Sequence, residues 1–193
     1  MITKILCRGV ILTFSIFLCL GCSSSSVDVD QAPEIEAPPM SERQRRIEAH
    51  NRLLAENARL INELRQRGID VRDTERGVVV NLPDVLFAVG KAELTPEAIT
   101  TVRTISEILT LAPTRHLAVE GHTDDAGTID YNYKLSDSRV QRVAQELQTT
   151  GIPTEQISPR AFGETTPIAT NRTSEGRTRN RRVEIIIENQ SDL

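Results

Sequence analysis

Tryptophan is absent from this 193-residue chain, and only 3% of its residues are aromatic. Phe14 and Phe17 sit in an apolar leader, which leaves Phe87, Tyr131, Tyr133 and Phe162 for the body. Platforms that stack sugars or bases need a richer supply. Positive charge is not in excess either. Lys and Arg number 23 against 27 Asp and Glu, a formal net charge of -4, which disfavours general attraction to nucleic-acid backbones. Cysteine is missing after position 22, because Cys7, Cys19 and Cys22 are the full set. The body therefore holds no disulfide and no cysteine-based metal site. The length suits one ordinary domain with extensions and excludes two large ones.

What is present begins with the leader. Lys4 and Arg8 precede the apolar run Val10 to Leu20, which is too short to span a bilayer and has the shape of a secretory signal. Cys19-Leu20-Gly21-Cys22 closes that run and resembles the lipobox of bacterial lipoproteins, with Cys19 where Leu is usual. The resemblance implies a signal peptide over 1–21, cleavage before Cys22 and lipidation of Cys22. Acyl chains contribute about 0.8 kcal/mol per buried CH₂ and would hold the chain on a membrane. Ser23, in place of Asp, implies by the same resemblance the outer membrane, with the folded part in the periplasm. The alternative is an ordinary signal peptide and a free Cys22.

Residues 22–40 form an anchor and linker. The stretch from Ser23 to Met40 has three prolines, a serine run and no basic residue, so it cannot bury enough apolar surface to order itself. A spacer follows over 41–76. Within it, Ser41 to Arg67 predicts a helix capped by Ser41, with Ile47, Leu53, Leu54, Leu60, Ile61 and Leu64 on one stripe. Ile47, Leu54 and Ile61 stand seven apart and could form a weak coiled-coil seam for self-association or a protein partner. Equally, the stripe could pack on the domain that follows.

Residues 77–193 carry regular alternation. Gly77 to Leu82 reads as a strand, and Thr95-Pro96-Glu97 opens a helix with Ile99, Val102, Ile105 and Ile108 or Leu109 inward. His116 to Glu120 is a second strand, Asn132 to Thr150 a second helix, and Ile157 to Phe162 and Arg182 to Glu188 two more strands. The expected fold is α/β, a mixed four-stranded sheet covered by two main helices in the order βαβαββ and preceded by the spacer helix.

Chemistry concentrates where the second strand leaves for the second helix. Gly121-His122-Thr123-Asp124-Asp125-Ala126-Gly127 is a polar loop before a helix start, where backbone N–H groups lack intrahelical partners. Arg139 offers a planar fork for a carboxylate and Asp124 an acceptor for an ammonium. Side by side they suit a zwitterionic amino-acid head. Taken alone, Asp124 would be a capping or solvated carboxylate and Arg139 a surface ion pair.

Several motifs run in order here: Leu86-Phe87 through Ala92-Glu93-Leu94, Glu120-Gly-His-Thr-Asp124 with Gly127, and Asn132 with Leu135-Ser136 and Arg139. Gly163-Glu164 with Pro167 follows, then Glu175-Gly176-Arg177 and Asn180-Arg181-Arg182-Val183. Over about residues 78–190 the chain resembles the OmpA C-terminal-like (OmpA/Pal/MotB) peptidoglycan-binding domain. The resemblance implies non-covalent binding of the peptidoglycan stem peptide at meso-diaminopimelate, with Asp124 on the ammonium and Arg139 on the carboxylate. It also implies that Asn132 and Thr123 shape the same pocket. Three departures stand out: Ala161 in place of Gly, Val140 in place of Ala, and no Asp in Ala88-Val89-Gly90-Lys91.

The resulting expectation is an outer-membrane lipoprotein that tethers membrane to wall, with no cofactor, no metal site, no nucleic-acid partner and no enzyme activity. His122 beside Asp124 and Asp125 lacks a completing ligand for a metal. A hydrolase built on His122 with Ser136 or Ser138 has no nucleophile-elbow motif to support it. A second reading makes the chain a wall-anchored scaffold in a secretion, efflux or motility complex, with the 41–67 helix meeting the partner.

Overall fold

The structure, a computed structural model, describes residues 40–88 and 90–189. The expected signal peptide, Cys22, and the linker up to residue 39 lie outside the described residues, as does Val89.

Helix α1 spans Glu42–Gln66 and begins with the capping box that Ser41 and Gln44 make reciprocally. Its two halves have different fates. Leu60, Ile61 and Leu64 are buried in the main core, whereas Ile47 and Leu54 are about half exposed. The stripe therefore packs on the domain through its last two turns, and the earlier turns carry exposed apolar side chains.

Five strands follow: β1 (Val71–Thr74), β2 (Gly77–Pro83), β3 (Leu117–His122), β4 (Ile157–Gly163) and β5 (Arg182–Glu188). They form one mixed sheet in the order β1-β2-β5-β3-β4. Only the β3–β4 pair is parallel. The sheet thus has one strand more than the expected four. Residues 71–76, grouped above with the spacer, supply that edge strand and its turn. Val71-Arg-Asp-Thr74 has a single apolar residue and so no alternation to announce it. What builds the hairpin is Gly77, at φ 137°, where an added Cβ would lie 2.0 Å from the carbonyl oxygen of Ile187.

Helix α2 (Pro96–Leu109) starts at Thr95, whose hydroxyl accepts from Ala98 N–H, as the sequence implied. Helix α3 (Ile129–Thr149) starts three residues earlier than expected, because Thr128 takes the N-cap by accepting from Tyr131 N–H. A short α4 (Ser174–Asn180), capped by Thr173, was not anticipated; its ring of Arg, Thr and Asn carries no apolar period.

Alternation along the strands decides which face is covered. Val78, Val80 and Leu82 of β2, Leu117 and Val119 of β3, and Val183, Ile185 and Ile187 of β5 share a core with Val102 and Ile105 of α2 and Val143 and Leu147 of α3. Their neighbours in sequence point to the opposite face. There Val79, Ala118 and Ile186 form a small apolar island among charged side chains. The antiparallel β2–β5 register sets Pro83 against Arg182, and the β3–β5 register sets His122 against Arg182. Hence the end of β2, the end of β3, the end of β4 and the start of β5 meet at one edge of the sheet, beside the start of α3.

Candidate ligand-binding site

Asp124 leaves β3 at that edge, and its loop is held from three sides. Thr123 donates its backbone N–H to the carbonyl of Gly163 at 2.8 Å. The Thr123 hydroxyl donates to the Asp124 carbonyl at 2.9 Å. Asn132, inside the first turns of α3, donates its amide to the Asp124 carbonyl at 3.2 Å and to the Glu164 carboxylate at 2.6 Å. The Asp124 side chain accepts from Ala126 N–H at 3.2 Å, closing an Asx turn. Asn132 and Thr123 thus shape the loop that presents Asp124, and all three are buried.

Arg139 comes from the third turn of α3 and is also buried. Its guanidinium lies 4.8 Å from the centroid of the Phe87 ring. Its Nε donates to the Lys91 carbonyl at 3.0 Å, so the loop after β2 orients it. One of the four aromatics of the body therefore serves to hold a cation.

Asp124 and Arg139 are joined through two other side chains. Arg139 pairs with Asp84 at 2.7 Å, Asp84 pairs with Arg181 at 2.9 Å, and Arg181 pairs with Asp124 at 2.8 Å. The outer members of this row, Arg139 and Asp124, expose 3% and 11% of their side chains. The inner members, Asp84 and Arg181, expose 26% and 31%. So the two expected receptors form a buried layer, and a carboxylate–guanidinium pair covers them. The hydrogen bond to Asp124, with help from Asp84, raises the Arg181 pKa above the usual arginine value.

Asp84 was not foreseen as a site residue. It stands on a single 3₁₀ turn, Asp84–Leu86, and its partners lie far along the chain. No local spacing could reveal it. Arg181 was visible only as part of the Asn180-Arg-Arg-Val ending, and Glu164 only as part of Gly163-Glu164.

On the open face of the sheet a second set of charges is paired. Glu120 accepts two bonds from Arg76, at 2.6 and 3.1 Å, and lies 3.9 Å from Arg160. Glu184 accepts from Arg72 at 2.7 Å and from Arg182 at 2.9 Å. His122 lies between them, stacked on Phe162 at 5.2 Å, with Nδ1 at 2.8 Å from the Thr166 hydroxyl and Nε2 without a hydrogen-bond partner among the described residues. Burial first, and Arg182 second, lower its pKa to about 4. Glu120, His122 and Glu184 bring one ligand atom each within 4.8 Å of one another, a grouping that could hold a metal. Both carboxylates are already engaged, however, and a divalent cation would enter the field of four guanidiniums. The chemistry of this set is that of an ion-pair lattice. The serines considered beside His122 have other partners: Ser136 accepts from Gly163 N–H and donates to the Tyr133 carbonyl, and Ser138 donates to the Lys134 carbonyl.

The chain has relatives in sequence and neighbours in fold. The chain is 34% identical over 133 residues to the probable lipoprotein YiaD of Escherichia coli, covering 68% of this chain and 61% of that protein. It is 35% identical over 133 residues to the outer-membrane lipoprotein YfiB of Pseudomonas aeruginosa, covering 68% of this chain and 77% of that one. Among solved structures, the cell wall anchor of the T6SS from Pseudomonas aeruginosa superposes with a TM-score of 0.57 at 34% identity, over 67% of this chain and 94% of that one. The OmpA family matches residues 86–181, the span that contains Asp124, Asn132, Arg139 and Arg181. With that match and these relatives, the chain belongs to the OmpA family.

Proposed function

We propose that this protein is an outer-membrane lipoprotein that binds peptidoglycan non-covalently at the meso-diaminopimelate of the stem peptide and thereby tethers the membrane to the wall. The observation that carries the reading is that two buried side chains of opposite charge, Asp124 and Arg139, are linked through Asp84 and Arg181 at one edge of the sheet. Asp124 offers an acceptor for the ammonium and Arg139 a fork for the carboxylate of one amino-acid head. Kinship to YiaD and YfiB, both named lipoproteins, supports lipid attachment at Cys22 and an outer-membrane location. Attachment is then bivalent. The acyl anchor keeps the domain at high effective concentration near the wall, so each wall contact can be weak.

The test is co-sedimentation with purified sacculi. Wild-type protein is expected in the pellet and Asp124→Ala in the supernatant, with free meso-diaminopimelate releasing the wild type. Full retention of Asp124→Ala would overturn the site. For the anchor, Cys22→Ser is expected to move the protein from the membrane to the soluble fraction.

A second reading, a wall-anchored scaffold in a larger complex, is favoured by one observation. The amino-terminal half of α1 keeps Ile47 and Leu54 about half exposed, and a similar solved domain is named as the wall anchor of the T6SS. Replacing Ile47→Ser and Leu54→Ser together and repeating a membrane pull-down separates the readings: a partner lost with the two side chains supports the scaffold, and unchanged recovery excludes it.

A further inference from the structure

The row Arg139–Asp84–Arg181–Asp124 leaves neither receptor empty. Arg139 already holds a carboxylate, that of Asp84, through its terminal nitrogen at 2.7 Å. Asp84 holds a second guanidinium, Arg181, with its other oxygen at 2.9 Å. One carboxylate therefore spans two cations, as a ligand carboxylate entering this edge of the sheet would. Asp84 is also the more exposed member of the pair, at 26% against 3% for Arg139.

The Asp84 backbone is tied down, its carbonyl accepting from Phe87 N–H at 2.9 Å, whereas its carboxylate is held by the two arginines it bridges. The Asp84–Leu86 turn is a single 3₁₀ turn with no side-chain cap, and Val85 beside it is 78% exposed. Asp84 N–H donates to the Arg181 carbonyl at 3.2 Å, so the turn rests on the same residue that its side chain bridges. Arg139 has two further partners that do not involve the Asp84 carboxylate, the Phe87 ring and the Lys91 carbonyl. If the carboxylate of Asp84 swings out, Arg139 stays where it is.

We infer that Asp84 is a built-in competitor for the ligand's carboxylate, a residue that sets the affinity of the site by occupying Arg139 until a ligand displaces it. The inference rests on the reading above that this edge of the sheet takes a diaminopimelate head. Exchange keeps the count of ion pairs on Arg139 unchanged, so the site avoids leaving a buried guanidinium unpaired when no ligand is bound. The same exchange makes the net gain on binding small, because each new pair replaces an existing one.

Calorimetric titration with a diaminopimelate-containing tripeptide tests this in four proteins: wild type, Asp84→Asn, Asp84→Ser and Asp124→Ala. Asp84→Asn and Asp84→Ser should each bind about 3- to 30-fold more tightly than wild type, since Arg139 is then free of a charged partner. Against the same peptide amidated at the free carboxylate of diaminopimelate, that gain should vanish, because no carboxylate competes for Arg139. A purely structural Asp84 would lower thermal stability without tightening binding. Equal or weaker binding by both Asp84 variants overturns the competitor role while leaving the site intact. Tightening that persists with the amidated peptide overturns it as well. Absence of binding by wild type and by both Asp84 variants overturns the peptidoglycan reading and this inference together.

Discussion

Asn57, midway along α1, accepts a hydrogen bond from the guanidinium of Arg115 at 2.6 Å, and both side chains are buried. Arg115 gives its other donors to the carbonyls of Ile187 and Glu188 and to the Asn189 side chain. All of these acceptors are neutral, and burial lowers the Arg115 pKa below the usual arginine value. The helix read from sequence as a spacer is thereby keyed to the end of β5.

Arg115→Ala removes four donated bonds from a buried junction and should cost about 3 kcal/mol in urea unfolding. A change below about 0.5 kcal/mol would show that apolar packing alone attaches α1.

That packing can be weighed separately. Leu64 is fully buried and Leu54 is about half exposed on the same helix. Leu64→Ala should cost about 2–5 kcal/mol, and Leu54→Ala less than about 0.5 kcal/mol in the isolated protein. Equal effects would contradict the division of α1 into a docked and a projecting half.

Gly121 marks the closest approach of α3 to β3. An added Cβ would meet the Ser136 carbonyl oxygen and a methyl of Val140, each at 2.7 Å. Gly121→Ala should therefore lower stability by about 1–3 kcal/mol and disturb the Asp124 loop three residues on. Circular-dichroism melting and sacculus co-sedimentation check the two effects.

How legible was all this in the sequence? Elements with strong period or strong caps were plain: Thr95-Pro96 opened α2, and Val183, Ile185 and Ile187 drew β5. Strand β1 and helix α4 were not, since Val71-Arg-Asp-Thr and Ser174-Glu-Gly-Arg-Thr-Arg-Asn have no apolar alternation. Their positions come from tertiary contacts, Gly77 against Ile187 for one and Gly176 against Thr170 for the other. The site divides the same way. Asp124 and Arg139 share a local motif, but Asp84 meets Arg181 only after β2 and β5 pair, so no window of sequence contains both.

Acid should weaken the fold in two steps. Burial holds the His122 pKa down at about 4, while the unfolded chain takes up a proton near the ordinary histidine value of 6.5. The unfolded state therefore binds more protons between those values, and stability falls as pH drops through that window, by up to about 3 kcal/mol. For Glu184, burial works to raise the pKa, but the hydrogen bond from Arg182 and the charges of Arg182 and Arg72 outweigh it and hold it low. Its contribution is present above the ordinary glutamate range and is lost as pH falls through the lowered value. His122→Gln should abolish the first step and keep the second. A loss of equal size between pH 6.5 and 4 in His122→Gln would place the first step elsewhere.

Arg139→Lys keeps the charge but loses the guanidinium over the Phe87 ring and the Nε–H given to the Lys91 carbonyl. It should bind sacculi at least about 10-fold more weakly than wild type, with melting behaviour little changed. Wild-type binding by this variant would reduce Arg139 to a simple point charge.

In the proposed tether, tension would enter through the amino end of α1. The next strand in the chain, β1, lies at the rim of the sheet and could be unzipped one hydrogen bond at a time. Arg115 changes the load path. By gripping the carbonyls of Ile187 and Glu188, it shares the pull with β5, the third of five strands, which is laddered on both sides by β2 and β3. Drawing that strand out requires shearing two ladders together, so the domain is held by its middle strand rather than by its hem.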